Sequence, residues 1–403
     1  MKTIRMYYFI VLSITTVVLT VQAVFPKEVI RFGFSMSLTG IYSQAAVSQM
    51  NAYQLWKEEV NARGGIFVKS FGKKLPIDFV YYDDRSSAEV AVKAYERLIT
   101  NDKVDLLLTP WGTTIHFAVM PLAEKYKIPM IGSTAASVKL REVKSSYFWF
   151  ITSCLPDRQM KSLVSLLSSL QIKNVAVIYV QDLFPKENLY FLEPELRRAR
   201  INIQLLKDYP VGVKDLTTLL SEVKVKKPEA LIALSYPADS FLLTRQAQEV
   251  GLDPPFFYQL VGPSIGAYTQ VFGEACEGIT TMGQWSPKAP WPGAKEFEER
   301  YRQRWKIVPD YLDSVLAYVQ CQIIEQAIEK AGTLDRDKIR DTIAQGQFIT
   351  INGPIKFTGG ENWLTPSMVL QYQKGMLEII WPQESATAKP IFPKPPWPTY
   401  RAQ

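Results

Sequence analysis

Two short runs of small, hydroxyl-bearing residues have the makings of a ligand site. Pro110-Trp111-Gly112-Thr113-Thr114 follows an apolar run ending at Thr109, and Gly132-Ser133-Thr134-Ala135-Ala136-Ser137 closes another. A helix start leaves backbone N–H groups without intrahelical partners, and the helix dipole is positive there, so such a place favours an anion. Thr113, Thr114 and Ser137 are therefore candidates to hold a carboxylate. Tyr42, Phe184 and Tyr236 lie at the ends of other apolar runs. Their rings would make flat apolar walls with a few polar tips, the usual composition of a small-molecule pocket.

Covalent chemistry finds no comparable candidates. The chain has one histidine, His116, inside a helical pattern, where it reads as a packed helix residue. No Gly-x-Ser-x-Gly, His-Glu-x-x-His or Cys-x-x-Cys pattern occurs. The stretch 65–74 gathers glycines and lysines, but its spacing is wrong for a phosphate loop and Lys74 stands where the loop needs Ser or Thr. It reads as a hairpin. Asp83-Asp84 reads as capping the following helix rather than as a catalytic pair. No metal, cofactor or enzymatic reaction is expected.

The elements that must position these residues alternate. Apolar runs at 30–36, 76–82 and 104–109 are each followed by residues at helical spacing, the last by a helix over 113–126, and a further strand is expected at 128–132. The rhythm pauses at 147–156 and restarts with Val-Ala-Val-Ile-Tyr-Val at 175–180, a run expected of a strand buried on both faces. Further strands are predicted at 201–206, 230–235 and 256–261, each with a helix between. Such alternation gives parallel sheets covered by helices, with ligands beyond the carboxyl ends of the strands. A second pause spans 279–292, helices return at 294–306 and 311–331, and a β-rich stretch runs over 353–381. The tail after Ser385 is proline-rich and reads as an extended strap or a disordered end.

With 403 residues, two domains are the natural expectation. Lys2 and Arg5 precede an uncharged run through Val21, and Val21-Gln22-Ala23 suits signal peptidase, so a secretory signal over 1–23 is expected, with an uncleaved anchor as the alternative. Three widely spaced cysteines, Cys154, Cys276 and Cys321, allow at most one disulfide and read as small buried residues. The net charge of +7 is scattered among acids and matches no nucleic-acid motif.

The order and spacing of several segments resemble the periplasmic binding proteins of branched-chain amino-acid ABC transporters. These are Gly-Phe-Ser-Met-Ser-Leu-Thr-Gly at 33–40, Val-Asn-Ala-Arg-Gly-Gly-Ile at 60–66 and Tyr-Asp-Asp at 82–84. Others are Pro-Leu-Ala-Glu-Lys-Tyr-Lys-Ile-Pro at 121–129, Glu-Gly-Ile at 277–279 and Gly-Pro-Ile-Lys-Phe at 353–357. The resemblance implies an α/β fold of two doubly wound parallel-sheet lobes joined by three hinge crossings, the type I periplasmic binding fold. The expected lobes are 24–150 with 282–352, and 151–281 with 353–385, followed by the tail 386–403. It further implies a periplasmic monomer that closes on a small organic acid and docks on an inner-membrane permease, with no nucleic acid involved. The same fold serves as the ligand domain of sensors, but no output domain or DNA-binding motif follows here.

By resemblance, the ligand carboxylate falls to Thr113 or Thr114, and to Ala135 with Ser137; Tyr42, Phe184 and Tyr236 contact the ligand from the two lobes. Val261-Gly262-Pro263-Ser264 matches a loop whose last residue is acidic in amino-acid binders. Ser264 offers only a hydroxyl there, and a buried ammonium needs a charged partner. The expected ligand is a small carboxylate-bearing molecule, amino-acid-like or an aromatic or keto acid, with the amine-free acids the better candidates.

Overall fold

The computed structural model describes residues 27–398; the expected signal segment lies outside them. The apolar run at Asn174–Val180 lies one strand in from the edge of a seven-stranded sheet, between Ala230–Leu234 and Asn202–Tyr209, with its Val and Ile side chains buried. The order in that sheet is Met376–Trp381, Met368–Gln373, Ile279–Gly283, Phe256–Gln259, Ala230–Leu234, Asn174–Val180 and Asn202–Tyr209. The five strands from Ile279–Gly283 to Asn202–Tyr209 are parallel, and the two from the end of the chain are antiparallel. This is the core of the second lobe.

The first lobe has three smaller sheets, the smallest being the hairpin of Ile66–Val68 with Lys73–Leu75. Of the other two, one pairs Ile30–Met36 in parallel with Ile77–Asp83 and Leu106–Leu107. The other runs Gln347–Thr350, Gly353–Thr358, Glu361–Asn362, Phe148–Phe150, Met130–Gly132. The buried Thr109 hydroxyl joins them, lying 3.1 Å from the Ser133 hydroxyl and 3.4 Å from the Ile131 carbonyl. Helices Ser43–Ala62 and Asp313–Ala331 pack together over this lobe, and the Tyr53 hydroxyl on the first donates to Gln320 Oε1 on the second.

Three crossings connect the lobes, at 151–155, 283–285 and 363–367, and side chains tie them to one another. The Gln284 side chain accepts from the Ser153 N–H and hydroxyl, both at 2.9 Å, and Asn362 Nδ2 donates to the Ile151 carbonyl. The third crossing was expected near Asn352. Gly353–Thr358 instead pairs antiparallel with Gln347–Thr350 and then with Glu361–Asn362, so 353–362 stays in the first lobe. The tight turn at Thr350–Gly353 folds the strand back on its own lobe before the chain can leave it.

Two local readings also change. Asp83 and Asp84 do not cap the helix Ala88–Thr100; Ser87 does, accepting from the Val90 N–H. The two carboxylates instead fasten the loop after the first strand. Asp83 accepts from the Leu38 and Thr39 N–H groups and the Thr39 hydroxyl, and Asp84 accepts from the Ser35 and Ser37 hydroxyls. The helix predicted over 113–126 is interrupted between Thr113–Val119 and Pro121–Lys125, because proline has no N–H to continue the ladder.

The proline-rich tail lies as a strap along the second lobe. Ile391 exchanges both backbone bonds with the Gln371 side chain, and the Lys394 N–H donates to the Pro255 carbonyl. Lys394 Nζ pairs with Asp253 at 2.7 Å and lies over the Trp397 ring. The three cysteines are buried and unpaired.

Candidate functional site

Strand ends from both lobes converge on one narrow cavity of about 30 Å³. From the first lobe come Trp111, Gly112, Thr113, Thr134 and Ala136, together with Leu312, Asp313 and Leu316 at the start of the Asp313–Ala331 helix. From the second come Phe184, Tyr236, Val261 and Met282, and the crossing adds Thr152. Small-molecule pockets usually measure roughly 300–1,000 Å³, so an organic ligand needs the lobes to part. A wider groove of about 660 Å³ lies outside this cavity, between the 40–44 loop and the segment 211–214. The site is placed in the narrow cavity because strand ends of both lobes and polar groups without partners meet there.

Three aromatic side chains close it. Tyr42 and Trp111 of the first lobe meet Tyr236 of the second, with ring centroids 5.1 Å apart for Tyr42–Trp111 and 5.8 Å for each of the other pairs. Asp182 sits beside them at the start of the Leu183–Arg198 helix. Its carboxylate accepts from the Tyr42 hydroxyl at 2.5 Å, from the Thr114 hydroxyl at 3.1 Å and from the Leu183 N–H. Burial, followed by the hydrogen bond and charge of Asp182, pushes the Tyr42 hydroxyl well above its ordinary pKa, so it stays a donor. Burial raises Tyr236 as well.

The polar lining is divided. The Thr113 hydroxyl accepts from the Ala136 N–H at 3.0 Å, and the Thr152 hydroxyl accepts from the Cys154 N–H at 3.3 Å. Neither O–H proton has an acceptor among the described residues, so both remain free to donate. Asp313 is the acceptor of the set. Its Oδ2 accepts from Trp111 Nε1 at 2.8 Å. Burial first, and then the charge of Asp310, holds its carboxyl well above the usual carboxylate range; a positive or donating ligand group beside Oδ1 would bring it down again and be favoured in turn.

The expected site residues separate on this geometry. Thr113, Phe184 and Tyr236 line the cavity. Tyr42 and Thr114 do not line it: both bind Asp182 as a clasp between lobes, and the Tyr42 ring packs against the lining residues Trp111 and Tyr236. Ala135 is buried but stands back from the cavity, between the lining residues Thr134 and Ala136. Ser137 is spent as a cap, accepting from the Lys139 N–H. Ser264 is the clearest correction. Its loop coils into a 3-10 turn, so the hydroxyl donates to the Val261 carbonyl at 2.7 Å and the residue faces a different recess beside Tyr311. Among the residues the sequence leaves unassigned, Thr152 and Asp182 have the polar roles given above, and Asp313 is the acid that lines the cavity. Its signal was an acid just ahead of a long apolar helix, indistinguishable from an ordinary N-terminal acid. Trp285 packs against Phe297 and Tyr311 and lies away from the cavity. His116 is fully buried, with Nδ1 at 2.8 Å from the Gly112 carbonyl, and burial lowers its pKa to about 4.

The periplasmic binding protein family model matches residues 29–375. A Leu/Ile/Val-binding protein homolog from Brucella abortus is 24% identical over 91% of this chain and 93% of its own length. The branched-chain amino acid transporter substrate binding protein LivJ from Streptococcus pneumoniae, solved with isoleucine, superposes with a TM-score of 0.77. It is 21% identical, and the match covers 88% of this chain and all of that one. A solute binding protein of an ABC transporter from R. palustris, solved with benzoate, gives 0.76 at 16% identity, covering 90% of this chain and 98% of its own. Among the described residues, no helix is long and apolar enough to cross a membrane. The chain belongs to the periplasmic binding protein family, a family of substrate-binding proteins and not of enzymes, and has the type I fold.

Proposed function

We propose that this protein captures one small carboxylate-bearing molecule between its lobes, outside the cytoplasmic membrane, and delivers it as a monomer to the permease of an ABC importer. The observation that carries this reading is the pair of free hydroxyl donors, Thr113 and Thr152, in a cavity walled by Trp111, Phe184 and Tyr236. Buried donors without acceptors are costly unless a ligand supplies them, and a carboxylate supplies several. The relatives solved with isoleucine and with benzoate both hold small carboxylates, which supports the same class here. Closure of the lobes over the ligand follows from the size of the cavity and from the clasp at Asp182.

Delivery requires a partner that recognises the closed form. The exposed side chains Ile41 and Val211 lie on opposite lobes at the mouth of the outer groove. Their spacing changes when the lobes move, which suits a surface read by a permease. The direct test is denaturation of the purified protein followed by mass spectrometry of what is released. One equivalent of a small carboxylate is expected. Release of a sugar, a metal complex or a cationic solute without a carboxylate overturns the reading.

A further inference from the structure

The proposed carboxylate site contains one group that a carboxylate does not satisfy. Asp313 is 4% exposed and lines the cavity. Oδ2 is held by Trp111 Nε1 at 2.8 Å, whereas Oδ1 accepts from nothing among the described residues. A second buried acid, Asp310, is not its partner. Asp310 Oδ1 accepts from the Leu312 and Ser314 N–H groups and so shapes the turn that presents Asp313. No Lys or Arg lines the cavity. The donors Thr113 and Thr152 and the acceptor Asp313 thus give the cavity two chemically different sets of partners.

Resting on the reading of the cavity as a carboxylate site, we propose that Asp313 is its specificity-determining residue and selects acids that also carry a hydrogen-bond donor, an ammonium or a hydroxyl. This replaces the expectation of an amine-free ligand, which rested on Ser264, a residue that points elsewhere. Asp313 comes from the first lobe and is oriented by Trp111. A ligand donor meeting Oδ1 would complete the carboxylate, and a ligand lacking one would leave it buried beside apolar atoms.

Matched pairs of acids test this: phenylalanine with phenylpyruvate, leucine with 4-methyl-2-oxopentanoate, and 4-hydroxybenzoate with benzoate. Calorimetric titration of the parent protein is expected to show at least tenfold tighter binding of the donor-bearing member in the pair that fits. Asp313→Asn, which keeps size and replaces a carboxyl oxygen by an NH2 donor, is expected to reduce that preference at least tenfold, by weakening the donor-bearing acid and strengthening its partner. Trp111→Phe keeps the carboxylate but removes the donor that orients it, and should reduce the preference at least threefold, so the test survives misfolding of the first variant. A parent preference for donor-free acids, or a preference left unchanged in the variants, overturns the assignment of Asp313 and leaves the carboxylate site standing. Absence of binding by all six acids sinks that underlying reading, and the proposal with it.

Discussion

The Tyr42 hydroxyl on the first lobe donates to the Asp182 carboxylate on the second at 2.5 Å. Thr114, also on the first lobe, donates to the other oxygen of the same carboxylate. One acid therefore bridges the lobes beside the cavity, and under the proposed function it would couple ligand capture to domain closure.

Loss of this clasp should favour the open form. A hydrogen bond to a charged group contributes roughly 1.5–3 kcal/mol, so Tyr42→Phe should shift the closing equilibrium about tenfold or more. Ligand affinity should fall by a similar factor, because binding draws on the closed population. Small-angle scattering of the unliganded variant should show a larger radius of gyration. Asp182→Asn added to Tyr42→Phe should change little further, since the two substitutions remove a shared contact. Full additivity would show that the pair does not act as one clasp.

Thr113 and Ser137 looked equivalent as carboxylate anchors and should now behave differently. Thr113→Val removes the free O–H donor from the cavity and should weaken acid binding about tenfold. Ser137→Ala removes a cap on a short 3-10 turn and should leave affinity within about twofold, with a loss of about 1 kcal/mol in stability. Titration of both variants checks the order, and equal effects would return Ser137 to the site.

His116 should make the fold sensitive to acid. Its pKa is lowered to about 4 by burial, against about 6.5 in the unfolded chain. The unfolded state therefore binds the extra proton between these values, and stability is lost as pH falls from about 6.5 to 4. Asp239 acts with the opposite sign, since burial raises it to about 6, and it favours the fold as pH falls over part of the same range. The comparison of parent with His116→Phe isolates the histidine: the variant should lose less stability on acidification, by about 1–3 kcal/mol at pH 4.5. Parallel urea-denaturation profiles against pH would contradict this.

The strap should matter for stability and not for binding. Lys394, Trp397 and Ile391 fasten it to Asp253, Leu252 and Gln371 on the second lobe. None of these residues lines the cavity. Removal of 386–403 should cost about 2–4 kcal/mol, mostly through the exposed apolar area around Trp397 and Phe257. Ligand affinity measured well below the melting temperature should stay within about twofold. A large loss of affinity would show that the strap controls the lobes.

The fold was legible wherever burial is repeated along the chain. Asn174–Val180 and Ala230–Leu234 announce themselves because a strand covered on both faces has no polar positions. Residues at strand ends follow from those strands, and Thr113, Phe184 and Tyr236, chosen in this way, line the cavity. What depends on a single turn was not. Whether Ser264 faces the cavity is decided by one 3-10 coil, and whether 353–362 changes lobes by one tight turn. Asp313 was hidden differently. Its meaning comes from Trp111, 202 positions away in sequence, and only the packed first lobe brings the two together.

The central claim is that a small acid binds inside the narrow cavity, and substitution of Ala136 tests it most directly. Ala136 lines the cavity without using its side chain for any bond, so Ala136→Trp should fill the space and leave the sheets intact. Calorimetric titration with the acid that the parent binds should then show saturable one-to-one binding in the parent and a loss of at least a hundredfold in Ala136→Trp. Undiminished binding by a folded Ala136→Trp protein would place the ligand elsewhere and contradict the account.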